Sequence, residues 1–432
     1  MVLAIAGLLF SSLALSFQEE ESVGIVPLRE YGGELAERPV LLGDSDRWRT
    51  RLGEQGISFH AYLTQIFQSV MDGGLDEEDA YGGKFETYFL FDLDRMGVLP
   101  GAMVSLRTES RYGESVNREA GTILPVNDVM FFPLTDLDED LFIAITELKY
   151  TQFLSKDLGF FAGKLATLGT DYNEFAAGRG DTQFLSHTFL GASVTALANP
   201  YSALGTGAFW MPAADTMVSG TLFTIEDAST TTGFDELDEG LDATLSVRHQ
   251  YGQDGLPGGF QGFFQYSFGG DFLDFSGQLI DQGQLEIPRD DDSWATGVNF
   301  WQYLSVRGAP TRVDVTNGRT DLEGFGLFAR VATSDADTNP VGLVLSGGLG
   351  GRGSFAGRER DTWGIGFGYG DMRENLFTNS PLIDESGRRF EAYYSFSLTP
   401  AVELMLDYQI ADSLRVAPDT AHIAGLRLRT AF

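Results

Sequence analysis

The chain has 432 residues, 62 of them acidic against 29 basic, and no cysteine. A net charge of −33 excludes a nucleic-acid partner, which needs a basic footprint, and the missing thiols exclude disulfides, zinc–thiolate sites and cysteine nucleophiles. Beyond the first residues no apolar run of about 18 occurs, so helical membrane spans are not expected.

Residues 1–16, MVLAIAGLLFSSLALS, read as a signal peptide, with Ala14 and Ser16 placed for cleavage. Residues 17–45 are acidic and patternless and read as a flexible leader. Residues 46–56 form a short periplasmic helix, with Ser45 or Asp46 as N-cap and Gly56 as its stop.

Strand signals fill the rest, from 57 to 432. Successive strand side chains point to opposite faces, so a wall between lipid and water alternates apolar with polar. Phe85, Thr87, Phe89 and Phe91 oppose Lys84, Glu86, Tyr88 and Asp92. Val104 and Leu106 oppose Arg107, Glu109 and Arg111. Phe142, Ala144, Leu148 and Tyr150 oppose Glu147 and Lys149. The pattern predicts strands at 57–69, 84–94, 102–112, 142–153, 157–168, 204–211, 214–226 and 241–251. It continues at 259–269, 294–306, 323–333, 342–350, 362–370, 389–398, 402–410 and 422–432. A secreted β-sandwich shows the same period on fewer, shorter strands.

The count is even, which returns both ends to one side. Connections after even-numbered strands are mostly short and those after odd-numbered strands mostly long, with 307–322 an exception. The expected fold is therefore all-β, a 16-stranded antiparallel transmembrane β-barrel with short periplasmic turns and long extracellular loops. Its acidity favours cations in the vestibules.

Several stretches resemble the carbohydrate-selective porin family, which includes the glucose-induced porin of pseudomonads. They are Arg47 to Phe59, Tyr62-Leu63-Thr64-Gln65, Gly82-Gly83, Leu148 to Gln152, Gly163-Lys164, Phe184-Leu185, Gly326 to Arg330, Asp361 to Phe367, and the close from Tyr393 to Phe432. No single motif is specific; their order and spacing carry the resemblance over about 46–432. It implies an outer-membrane channel, in a Gram-negative-type bacterium, for passive diffusion of sugars such as glucose. Sugars are then the transported solutes, membrane lipid and lipopolysaccharide the surroundings, and a homotrimer is left open. No catalysis, cofactor or metal is expected.

A sugar path needs polar groups that replace water around hydroxyls, and aromatic faces for the ring. Parity nominates Arg107, Glu109, Arg111, Glu147, Lys149 and Lys164 as pore lining; the same residues would also solvate and stiffen any barrel interior. Loops 113–141 and 169–203 are candidates to fold inward. The second offers Tyr172, Phe175, Arg179, Asp181 and Phe184 for sugar contact. Arg330, Arg389, Glu391, Arg427 and Arg429 face the lumen by parity, outside the expected constriction.

Other patterns are set aside. Gly348-Leu349-Gly350-Gly351-Arg352-Gly353 matches a dinucleotide fingerprint, but no βαβ unit surrounds it. Arg179-Gly180-Asp181 matches an adhesion tripeptide by chance. The acidic runs 136–140 and 290–292 lack calcium-loop spacing. The alternatives are a general cation-preferring porin without a sugar site, an outer-membrane hydrolase using His249 or His187 with a nearby serine, and a purely structural barrel.

Overall fold

In the computed structural model, sixteen strands pair antiparallel in sequence order and the last pairs with the first. The structure describes residues 33–122, 124–131, 143–168, 172–191, 193–195, 199–235, 237–253, 255–274, 280–281, 284–285, 288–309, 320–371, 386–413 and 420–432. The expected signal peptide, most of the expected leader, Phe142 and the acidic run 136–140 lie outside them.

The strands are β1 (Ile57–Asp72), β2 (Asp79–Asp92), β3 (Ala102–Gly113), β4 (Ala144–Phe153), β5 (Leu158–Ala166), β6 (Ser202–Ala213), β7 (Thr216–Thr224) and β8 (Leu241–Gln253). They continue with β9 (Leu256–Leu273), β10 (Arg289–Arg307), β11 (Glu323–Ser334), β12 (Leu343–Arg352), β13 (Thr362–Asp371), β14 (Ser386–Thr399), β15 (Val402–Ala411) and β16 (Ala421–Ala431). Closure has a physical cause. Lipid offers no hydrogen bonds, so a sheet crossing it must pair both edges. Here the seam runs from Tyr62 opposite Ala431 to Asp72 opposite His422.

Alternation sets inside and outside. On β2, Phe85 is 39% exposed to the surroundings, while Lys84 is 2% and Glu86 8% exposed. The apolar parity therefore meets lipid and the charged parity the lumen.

The structure departs from the sequence pattern at three places, and it keeps the long connection after β10 that the sequence showed as an exception. Several strands outrun the apolar pattern: β1 and β2 are joined by 73–78 alone, and β10 starts at Arg289. Hydrogen-bond ladders continue above the membrane, where no apolar alternation is required. On β4, Arg107 faces Glu147 but Thr108 faces Ile145, so Thr146 is an extra residue. This bulge turns Ala144 inward, at 3% exposure, and Ile145 outward at 46%; Ala144 is not on the lipid face with Leu148. The connection 308–322 is a long one on the short-turn side. The N-cap of the helix is Arg47, at φ +57°, rather than Ser45 or Asp46. A 3-10 turn (Ser45–Arg47) precedes helix α1 (Trp48–Glu54), and across it the Asp44 carboxylate accepts the Arg49 N–H at 2.7 Å and the Thr50 hydroxyl at 2.5 Å.

After α1, Gly56 takes φ +89°, a left-handed turn that leads into β1. Arg49 donates to the Phe59 carbonyl at 2.9 Å and the Phe432 carbonyl at 2.5 Å. The helix is thus tied to both strands of the seam.

The core lies inside the barrel. Residues 172–191 of the β5–β6 connection cross the lumen and join Ile66, Trp301, Tyr303, Phe328, Tyr393 and Met405 in one buried apolar cluster. The lumen is aqueous, so burying rings there gains hydrophobic free energy that outward side chains, already in lipid, do not.

Candidate functional site

The inner faces of β2, β3 and β4 bring seven charged side chains together. Lys84, Glu86, Arg107, Glu109, Arg111, Glu147 and Lys149 follow from three alternating runs. The register sets like against like: Lys84 opposite Arg111, and Glu86 opposite Glu109. Like charges directly opposite destabilise a sheet. Pairs two residues apart on the same strand relieve this, with Lys84 3.3 Å from Glu86, Arg111 3.4 Å from Glu109 and Lys149 3.4 Å from Glu147.

The inward loop completes the pairing. Arg179 reaches Glu109 at 3.2 Å, and Asp181 reaches Lys84 at 2.8 Å. Glu109 also accepts the Tyr201 hydroxyl at 2.6 Å and the Thr146 hydroxyl at 3.2 Å. The Arg111 and Arg179 guanidinium carbons each lie 4.8 Å from the Tyr201 ring centre. Arg107 lies over Tyr88 at 5.6 Å and faces Glu147, which also accepts the Ser105 hydroxyl.

The far wall grips the loop's main chain. Glu391 accepts the N–H groups of Leu185 and Ser186 at 2.6 and 2.9 Å. Arg330 donates to the Phe189 and Ala176 carbonyls, both at 3.1 Å. Arg427 donates to the Gly180 and Gln183 carbonyls at 2.5 and 2.8 Å. These three stand outside the constriction expected by parity, yet they hold the inward loop that reaches it. The described residues of 114–131 fold inward too. Arg389 donates to the Leu124 carbonyl at 2.8 Å and Gln409 to the Val126 carbonyl at 2.9 Å. The two loops meet where His187 Nδ1 lies 2.5 Å from Asp128 Oδ1.

Seven of the residues singled out in the sequence for the pore or for sugar contact share this site: Arg107, Glu109, Arg111, Glu147, Lys149, Arg179 and Asp181. The other four are placed elsewhere. Lys164 donates to the Ser229 and Thr231 carbonyls and ties down the loop 225–240. Tyr172 is buried against Trp301, under the Arg248 guanidinium at 4.1 Å. Phe175 and Phe184, at 4% and 0% exposure, are packing side chains; no passing solute reaches them here. Lys84, Glu86, Tyr88 and Tyr201 were missed. The β2 pair shows in its alternation with Phe85, whereas Tyr201 lies in a loop and carries no periodic signal.

The site can offer hydrogen bonds. Arg107 Nε, Arg111 Nε and Nη1, and Arg179 Nη1 are buried and meet no acceptor among the described residues. The histidines weighed for hydrolysis have other neighbours. His187 pairs with Asp128, and His249 lies 2.8 Å from the Thr216 hydroxyl.

The sequence model of the carbohydrate-selective porin, OprB family, matches residues 76–432. No curated protein sequence matches the chain. Among solved structures the chain is similar to the high-pH structure of Pseudomonas putida OprB. The TM-score is 0.77 at 19% identity, covering 92% of this chain and 99% of that one. The low-pH structure of the same protein aligns with a TM-score of 0.57 at 16% identity, with the same coverage. With its closed barrel, inward loops and a family match reaching its final residue, this chain belongs to the OprB family of carbohydrate-selective porins and is a sugar channel of a Gram-negative-type outer membrane.

Proposed function

We propose that monosaccharides such as glucose diffuse along the β2–β4 wall, beside the points where Arg179 and Asp181 of the inward loop meet it. The observation that carries this reading is the row of mixed charge along that wall, with Lys84, Arg107, Arg111 and Lys149 beside Glu86, Glu109 and Glu147, and with Arg179 and Asp181 meeting it from the loop. A sugar hydroxyl both accepts and donates, so it fits such a mixed row where an ion of either sign fits only half of it. Each exchange of a water hydrogen bond for a protein one is worth about 0.5–1.5 kcal/mol, weak enough for exit. The half-buried Tyr88 ring lies beside the row, under the Arg107 guanidinium.

The protein is a channel rather than an enzyme, and its path is contained in one chain. A homotrimer would pack the outward faces without adding to that path; the mass of the detergent-solubilised protein tests it. Membrane lipid and lipopolysaccharide cover the same outward face otherwise.

The test of sugar passage is single-channel current with and without glucose. Transient blockade is expected, weakened in Arg107→Gln and Arg111→Gln. Liposome swelling that is no faster with glucose than with similarly sized amino acids would remove the sugar claim and leave a general porin.

A further inference from the structure

The wall on which the loop lies is built without side chains. Gly326 pairs with Gly350 and Gly350 with Gly364, while Gly348 pairs with Gly366. These glycines form one bare patch on the inner faces of β11, β12 and β13. Glycine inside a strand weakens it, so a cluster of them calls for a cause such as a close approach.

The approach is made by the loop's rings. A Cβ on Gly326 would lie 2.6 Å from the Phe175 ring, and one on Gly350 would lie 3.0 Å from Phe175 Cβ. At Gly364 it would meet Tyr393 Cε1 of the neighbouring strand at 2.5 Å and Phe184 Cζ at 2.8 Å, and at Gly366 Phe189 Cε1 at 2.7 Å. No rotamer change of a glycine can make room, and the rings are backed by one another. Phe184 and Phe189 have centroids 4.8 Å apart, and Phe184 stands 5.0 Å from Tyr393.

The same loop touches the opposite wall through Arg179 and Asp181. It therefore spans the lumen from bare backbone to charged wall, and its thickness is set by the rings.

We propose that the glycine wall is the gauge of the channel: Gly350, Gly364 and Gly366 are positioning residues that set how far the loop reaches toward the β2–β4 wall, and so set the size limit for sugars. The proposal rests on the reading that the sugar path runs along that wall. A methyl group at Gly366 has to push the Phe189 ring off the wall, and the loop with it toward the wall that Arg179 and Asp181 already touch, which crowds the space beside those contacts. The path narrows as a result.

The experiment compares wild type, Gly366→Ala and Gly370→Ala in planar bilayers and in liposomes. Gly370 lies on the same strand, and its Cβ would meet nothing within 4 Å. Heat-modifiable gel mobility reports the folded barrel. Gly366→Ala is expected to lose conductance and to lose disaccharide flux more than glucose flux, with Gly370→Ala matching wild type. Adding Phe189→Leu to Gly366→Ala is expected to restore both. Equal conductance and equal size limits in the two glycine variants would overturn the proposal. Should Gly366→Ala not fold, Phe189→Leu alone decides: a thinner loop raises conductance, and an unchanged value overturns the idea. If wild type shows no preference for glucose, the sugar reading falls separately, while the conductance comparison still judges the gauge.

Discussion

Arg179 and Glu109 meet across the lumen at 3.2 Å, one from a loop and the other from a strand 70 residues earlier. Arg179 holds φ +53° between Gly178 at +93° and Gly180 at +74°. For a non-glycine residue that conformation costs on the order of 1–3 kcal/mol and persists only where its surroundings demand it. The demand here is electrostatic. The β2–β3 register faces Glu86 with Glu109 and Lys84 with Arg111, and the loop inserts one charge of each sign between them.

Glu109→Gln keeps the shape and removes the charge. It is expected to lower the cation-to-anion permeability ratio, read as a shift in reversal potential across a salt gradient. Arg179→Gln is expected to shift it the other way. The double variant should be non-additive in unfolding, with a coupling of about 0.5–3 kcal/mol, the range for residues in contact. Simple additivity would mean the pair does not act as a unit.

The loop's apolar anchor gives a second prediction. Phe184 is fully buried, with Phe189, Phe328 and Tyr393 around it. Phe184→Ala opens a cavity that water, not lipid, borders, and is expected to cost about 3–5 kcal/mol. The readouts are a lower thermal midpoint and noisier single-channel current. Phe85→Ala on the lipid face is the comparison. Lipid fills the space left there, so a similar loss in both variants would refute the account of an aqueous-side core.

The barrel was legible because lipid imposes a rule on every second residue, and Lys84-Phe85-Glu86 obeys it as plainly as Leu426-Arg427-Leu428. The rule fails where lipid is absent. The Thr146 bulge leaves no mark in composition, so Ala144 read as outward. The loop that crosses the lumen is aperiodic, and Phe184 looks as suited to a sugar as to a core. What separates those roles is the bare surface opposite, on strands far away in sequence. The glycine run Gly348 to Gly353 showed that surface but matched an unrelated fingerprint. The roles of Glu391 and Arg427 were hidden for the same reason: parity tells which way a side chain points, not which main chain arrives to meet it.

The joint between the two inward loops supplies a pH prediction. Asp128 lies in the first loop and His187 in the second, at 2.5 Å. Burial works to raise the Asp128 pKa, but the adjoining His187, with Arg179 and Arg111 beyond it, holds it below the ordinary 3.8. A carboxylate with a depressed folded-state pKa contributes stability that is fully present above its unfolded value and lost as pH falls through the folded one. The loops are therefore expected to stay joined through neutral and mildly acid solution and to loosen only below pH 3.8. Single-channel noise recorded against pH measures this, with its onset on the acid side of that value. In Asp128→Asn the charge is gone at every pH, so the noise should already be raised at neutral pH and the acid onset should vanish. The effect is partial, because the Asp128 N–H to Leu185 carbonyl bond at 2.9 Å and the His187 N–H to Pro125 carbonyl bond at 3.1 Å remain. An acid onset that survives unchanged in Asp128→Asn would assign it to some other carboxylate and remove this pair from the joint.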